Sequence, residues 1–321
     1  MIFEKQVIGQ YKKITYSRCD DFGRAYCFSA DDFPGLRKED YRFTSSAGHE
    51  MKGYLYHYDD PVPGRLIIFD HGLGGGHRSY MKEIERLCGQ GFLVLAYDHT
   101  GCMESGGETT NGLAQSLRDL NDCIDSVKKD GRLSALDISA VGHSWGGYSC
   151  MNIAALHPEI SHIVAISGFV SVELMVSSVF GGLLKGYRGA VMRLERQSNP
   201  DYVGYDAVKT LSATDAKVLL IHSDNDTMCR TDPHFTTLKS ALSEKKNIRF
   251  LLVSGKGHNP NYTADAVKYL GEYAAAVRKK AKKKELETEK QRAEFVASFD
   301  WDRMTAQDET VWNEIFKTLA E

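Results

Sequence analysis

Gly142-His143-Ser144-Trp145-Gly146-Gly147 is the stretch on which the fold turns. An apolar run, Leu136–Val141, leads into it, and a helical pattern ended by Pro158 follows. Strand, sharp turn, serine at the apex, then helix is the context of a nucleophile elbow. The flanking glycines allow a turn in which any side chain would clash. The serine is thereby held above a sheet edge, with a helix N-terminus beneath it. The five-residue pattern alone is weak, so its flanks and its partners must carry the reading.

Working outward, short apolar runs recur at Leu66–Phe69, Phe92–Tyr97, Ile163–Ile166, Val218–Ile221 and Ile248–Val253. Helical patterns lie between most of them, at Tyr80–Gln90, Gly112–Lys129, Gly147–His157 and Pro233–Ser243. Strands apolar on both faces and alternating with helices predict an α/β fold, a mostly parallel, doubly wound sheet covered on both sides. The first 60 residues read instead as antiparallel strands: Tyr11–Tyr16, Tyr41–Phe43, and Met51–Tyr58 pairing back onto Tyr41–Thr44. Gly168–Leu211 interrupts the rhythm with apolar, Gly-rich and aromatic sequence, and predicts a small inserted helical cap. Residues 1–277 are thus expected to form the main domain and 278–321 a charged helical C-terminal extension. Arg278–Lys284 is basic, but the acidic run after it cancels the charge, so the stretch reads as a solvated spacer. Beyond it Phe295, Phe299, Trp301, Val311, Trp312, Ile315, Phe316 and Leu319 recur at helical spacing. They must pack on the body of the protein or on a second copy, and the extension is expected to stay outside the chemistry.

Composition narrows the classes. The 321 residues carry a formal net charge of −3 and no aromatic-basic stripe, which argues against a nucleic-acid partner. No uncharged apolar stretch is long enough for a membrane span, and Met1–Lys5 lacks the pattern of a secretory leader. The seven cysteines are odd in number, scattered and never spaced C-x-x-C, which suits a reducing cytoplasm better than a disulfide scaffold or structural zinc.

A serine hydroxyl needs an adjacent base, and the base an orienting group. Of eleven histidines, His258 stands apart, in the loop Ser254–Asn259 directly after an apolar run. The acid is sought after Val218–Ile221, where Asp224 and Asp226 both qualify. An oxyanion requires two converging N–H donors. Trp145, after the nucleophile, should supply one. Leu73, in Asp70-His-Gly-Leu-Gly-Gly-Gly-His77, should supply the other. A phosphate-binding reading of that loop fails, because G-x-G-x-x-G breaks at His77 and no Gly-Lys-Ser/Thr follows. A metal reading of His71, His77, Asp98 and His99 is unneeded, with Asp98 read as an anchor at a strand end. Cys102 and Cys229 lie near the site loops without a partner that would make either a better nucleophile.

With these motifs in order, the chain resembles the α/β-hydrolase superfamily from about Met51 to Tyr273. The motifs are His71-Gly72-Leu73-Gly74, Tyr97-Asp98 with Gly101 and Ser105-Gly106-Gly107, the Ser144 elbow, and Asp226 with Gly257-His258. The resemblance implies a Ser144–His258–Asp226 triad, Asp226 lying four residues after His222, and a subclass of serine esterases, lipases or peptidases. Ser223 replaces the usual glycine of the acid loop, and His99-Thr100 with Cys102-Met103 replaces the usual sequence after Asp98. The expected activity is hydrolysis of carboxylic esters of small to medium acyl or aromatic groups, with no cofactor or metal. Phe169 and Phe180 of the cap are expected to bind the acyl group. An aminopeptidase or amidase, with Glu173 or Glu195 as anchor for an amine, or an acyltransferase would use the same triad.

Overall fold

The computed structural model describes residues 3–59, 61–62 and 64–321. Eight strands, β1 (Arg37–Thr44), β2 (Glu50–His57), β3 (Arg65–Asp70), β4 (Leu93–Tyr97), β5 (Asp137–His143), β6 (His162–Ile166), β7 (Lys217–Ser223) and β8 (Ile248–Val253), form one sheet. Their order is β1-β2-β4-β3-β5-β6-β7-β8. The hairpin β1–β2 is antiparallel, and β2 is antiparallel to β4, whereas β4 through β8 run parallel. Strands β3, β5 and β6 are buried along almost their whole length, which is why their sequences are largely apolar and do not alternate.

The helices are α1 (Glu4–Thr15), α2 (Met81–Gly89), α3 (Gln115–Lys129), α4 (Trp145–Ile153), α5 (Val172–Val179), α6 (Arg188–Ser198), α7 (Ala207–Ala213), α8 (Thr231–Leu242), α9 (Ala264–Lys282), α10 (Glu289–Ala297), α11 (Trp301–Met304) and α12 (Glu309–Ala320). Two apolar clusters cover the sheet's faces. One joins α3, α4 and the segment between β6 and β7. The other joins α2 and α12 to Ile67, Phe69, Val141, Val164 and Ile221. Among the described residues no helix is long and apolar enough to cross a membrane.

One expectation is corrected: Tyr11–Tyr16 is the end of α1 and its flank, not a strand. Val7, Ile8, Tyr11 and Thr15 recur at helical spacing and face the first cluster, so the seeming alternation within Tyr11–Tyr16 is too short to fix the period. The segment from Gly168 to Leu211 folds as α5, a 3-10 turn at Gly182–Tyr187, α6 and the start of α7. The aromatic end of the chain is buried within the chain itself, with Trp312 and Ile315 fully covered in the second cluster.

Candidate active site

The site is assembled by loops at the C-terminal ends of parallel strands, where open α/β sheets place ligands. Strand β5 ends at His143, and Ser144 takes φ 57° and ψ −110° before α4 begins at Trp145. This outlying backbone holds the serine clear of the strand. Close packing enforces it: a Cβ on Gly146 would lie 1.9 Å from the Asp70 carbonyl oxygen, and one on Gly142 2.4 Å from that of Gly146.

Ser144 donates its Oγ hydrogen to Nε2 of His258 at 2.8 Å, and His258 Nδ1 donates to Oδ2 of Asp226 at 2.8 Å. The other oxygen of Asp226 accepts from the backbone N–H groups of Met228 and Cys229. Burial acts to raise the Asp226 pKa, but the bond to His258, its charge and the Met228 N–H hold it below the usual carboxylate range. The carboxylate is therefore kept charged beside the imidazole, as an orienting acid requires.

Asp224, the rival acid, faces elsewhere. It accepts from the Gly255 N–H and the Ser254 hydroxyl, and so holds the histidine loop, not the histidine ring. Ser223 braces the same loop. Its Oγ accepts from the Lys256 N–H and donates to Asn225, whose side chain accepts from the Gly257 N–H. A glycine in place of Ser223 could make neither of the bonds to its Oγ.

Leu73 and Trp145 line the same cavity as Ser144, of about 490 Å³. The loop that carries Leu73 is tied to the Ser144 turn by a polar chain. The Gly72 N–H donates to the Tyr80 hydroxyl, which donates to Nδ1 of His143, whose Nε2–H donates to the His258 carbonyl at 2.7 Å. This sequence of donors requires a neutral His143, and burial pushes its pKa down to about 3. Tyr80 and His143 escape the sequence reading as site residues, although His143 sits inside the elbow motif; nothing local shows where its ring points.

The residues weighed as a metal set are otherwise engaged. Asp98 accepts from both the backbone N–H and Nδ1 of His77, anchoring the end of the Asp70–His77 loop. His99 lies buried between Asp70 and Asp119, under the Trp145 ring. Burial disfavours its charge, but the two carboxylates overcome this and raise its pKa to about 10. Burial raises the thiol pKa of Cys229, which lines the cavity without a base to activate it.

The apolar wall comprises Tyr11 and Ile14 of α1, Phe169, Met175, Val176 and Val179 around α5, and Met228. Phe169 is stacked flat on Tyr148 at 4.5 Å. Phe180 does not line the cavity; it packs edge-on behind Tyr11. The contribution of α1 is hidden by the strand reading of its sequence. Neither proposed amine anchor faces the substrate space. Glu173 is exposed outside the lining, and Glu195 is fully buried, accepting from the Tyr11 hydroxyl and the Leu113 N–H.

Comparisons with known proteins agree with this architecture. The family described as serine aminopeptidase, S33, matches residues 61–203. Monoglyceride lipase of Homo sapiens is 33% identical over 112 residues, 34% of this chain and 36% of that protein. The putative carbamate hydrolase RutD of Serratia proteamaculans (strain 568) is 28% identical over 126 residues, 38% of this chain and 44% of that protein. The chain thus spans less than half the length of these curated relatives. A solved esterase from Pyrococcus furiosus superposes with a TM-score of 0.58 at 18% identity, covering 81% of this chain and 96% of that one.

Proposed function

Because the chain belongs to the α/β-hydrolase superfamily, we propose that it is a serine hydrolase cleaving carboxylic esters of small to medium acyl or aromatic groups. One observation carries the reading: Asp226, His258 and Ser144 form an unbroken hydrogen-bonded line, 2.8 Å at each ring nitrogen, at the wall of an apolar cavity. His258 takes the Ser144 proton as its Oγ attacks the ester carbonyl. Asp226 holds the ring in the Nδ1–H tautomer and stabilises the imidazolium that forms. The N–H groups of Leu73 and Trp145 stabilise the charge that develops on the carbonyl oxygen. His258 then gives its proton to the leaving alcohol. Water, deprotonated by the same ring, releases the acid from Ser144.

The cavity volume suits a ligand of modest size, and its wall of Phe, Met, Val and Ile suits an acyl chain or ring better than a charged amine. The positions of Glu173 and Glu195 give the aminopeptidase alternative no anchor, and the lipase among the relatives is in keeping with an ester.

An active-site-directed fluorophosphonate should label Ser144 in the intact protein and nothing in Ser144→Ala. A panel of acyl esters, aminoacyl amides and thioesters should show turnover chiefly on esters, lost in the variant by several orders of magnitude. A residual rate of about 10³–10⁴-fold over water is expected from the oxyanion donors alone. Undiminished ester turnover by Ser144→Ala would overturn the mechanism.

A further inference from the structure

His258 stands in a loop that hydrophobic packing cannot hold. Ser254-Gly-Lys-Gly-His-Asn-Pro-Asn261 contains no large apolar side chain. Gly255 and Gly257 both adopt positive φ, with open space where a Cβ would point. The loop around β7 pins one side through Ser223, Asp224 and Asn225. The other side is held from a distance in sequence, by the segment that enters α12.

Gln307 is saturated at that place. Its Oε1 accepts from Asn261 Nδ2 at 2.9 Å and from Trp312 Nε1 at 2.8 Å, while its Nε2 donates to Glu83 and to the Thr305 carbonyl. Asn261 Nδ2 also donates to Glu83 at 3.0 Å. The Asp308 N–H donates to the Asn261 carbonyl at 2.7 Å, and the Thr263 N–H to that of Ala306. One carboxylate oxygen of Asp308 pairs with the Lys256 ammonium, and the other caps α12 through the N–H groups of Thr310 and Val311. The grip thus falls on Lys256 and Asn261, on both sides of His258. Its base is rigid, because Trp312 is fully buried against the central strands.

We propose that Gln307 and Asp308 are positioning residues for His258, so that the C-terminal extension serves the chemistry and does more than cover the sheet. The proposal rests on the role given to His258 above. Displacing a general base by about 1 Å can cost on the order of 100-fold in rate, and these contacts restrain displacement at that scale.

The test uses the full-length protein with Gln307→Ala, Asp308→Asn and Lys256→Met, the last removing the loop's half of the ion pair without altering the tail. Arg303→Ala is the control, since it breaks the tail's surface contacts with Asp265 and the Tyr269 ring and none of those with Lys256 or Asn261. In folded protein each of the three should lower kcat by about 10- to 100-fold with KM within about twofold. Each should also broaden or shift the downfield NMR signal of the His258 Nδ1 proton. Lys256→Met with Asp308→Asn should be no worse than either alone, as expected for two halves of one contact. Wild-type kcat and an unchanged Nδ1 signal in the three variants would overturn the brace, as would an equal loss in Arg303→Ala. The proton signal decides the brace even if the wild type hydrolyses none of the esters, a result that would count against the proposed function alone.

Discussion

Asp224 and Asp226 stand two residues apart and bind the same loop in different ways. Asp226 reaches Nδ1 of His258 from a buried position, while Asp224 remains exposed and ties the backbone at Gly255. Sequence spacing allows either to be the triad acid; only the direction of each side chain separates them. Asp226→Asn should therefore lower kcat by about 10⁴-fold with the fold intact, because an amide favours the wrong histidine tautomer. Asp224→Asn should stay within about 10-fold of wild type, having lost an exposed tether. Steady-state kinetics on one ester decides it, and the reverse ranking would move the acid to Asp224.

Phe169 and Phe180 should also part company. Phe169 forms the cavity wall, so Phe169→Leu should deepen it and shift preference towards longer acyl chains. Each further methylene accommodated is worth about 0.8 kcal/mol, roughly fourfold in kcat/KM. Phe180→Leu should leave the chain-length profile unchanged and act only on stability, through Tyr11. Profiles across a series of acyl esters are the measurement; a matching shift in both variants would place Phe180 in the pocket after all.

Glu83 predicts a pH dependence of stability. Burial pushes its carboxyl pKa up to about 7, against the pull of the Asn261 and Gln307 amides. A folded-state value above the ordinary 4.5 means that the native protein holds the proton more tightly than the unfolded chain. The resulting stability is full below about pH 4.5 and is lost as pH rises through about 7. Glu83→Gln cannot ionise, so its melting temperature should match that of wild type near pH 5 and exceed it at about pH 8. A difference that does not vary with pH would show that Glu83 titrates normally.

Ile315 tests the docking of α12. Its side chain is fully buried in the cluster that contains Phe69 and Ile221. Ile315→Ala should lower unfolding free energy by about 2–5 kcal/mol in urea titrations. The oligomeric mass should not change, since the partners of this side chain belong to the same chain. A change in mass without loss of stability would mean that α12 is covered by a second copy.

Much of this protein is legible in order along the chain. Apolar runs mark β3 to β8, and the residues following β5, β7 and β8 name Ser144, the pair that includes Asp226, and His258. Local chemistry suffices there, because a strand covered on both faces must be largely apolar and a tight turn favours glycine. The period of α1 is lost because six residues around Tyr11 cannot distinguish a helix from a strand without the surface that they face. Contacts between distant segments that carry no motif are closed to sequence reading. Tyr11 on the cavity wall, the Tyr80–His143 link beneath the histidine loop, and Gln307 with Asp308 around Lys256 and Asn261 all join segments far apart along the chain. A polar side chain's identity states what it can bond to, but only the packed sheet decides which partner comes within reach, because burial removes water as the alternative.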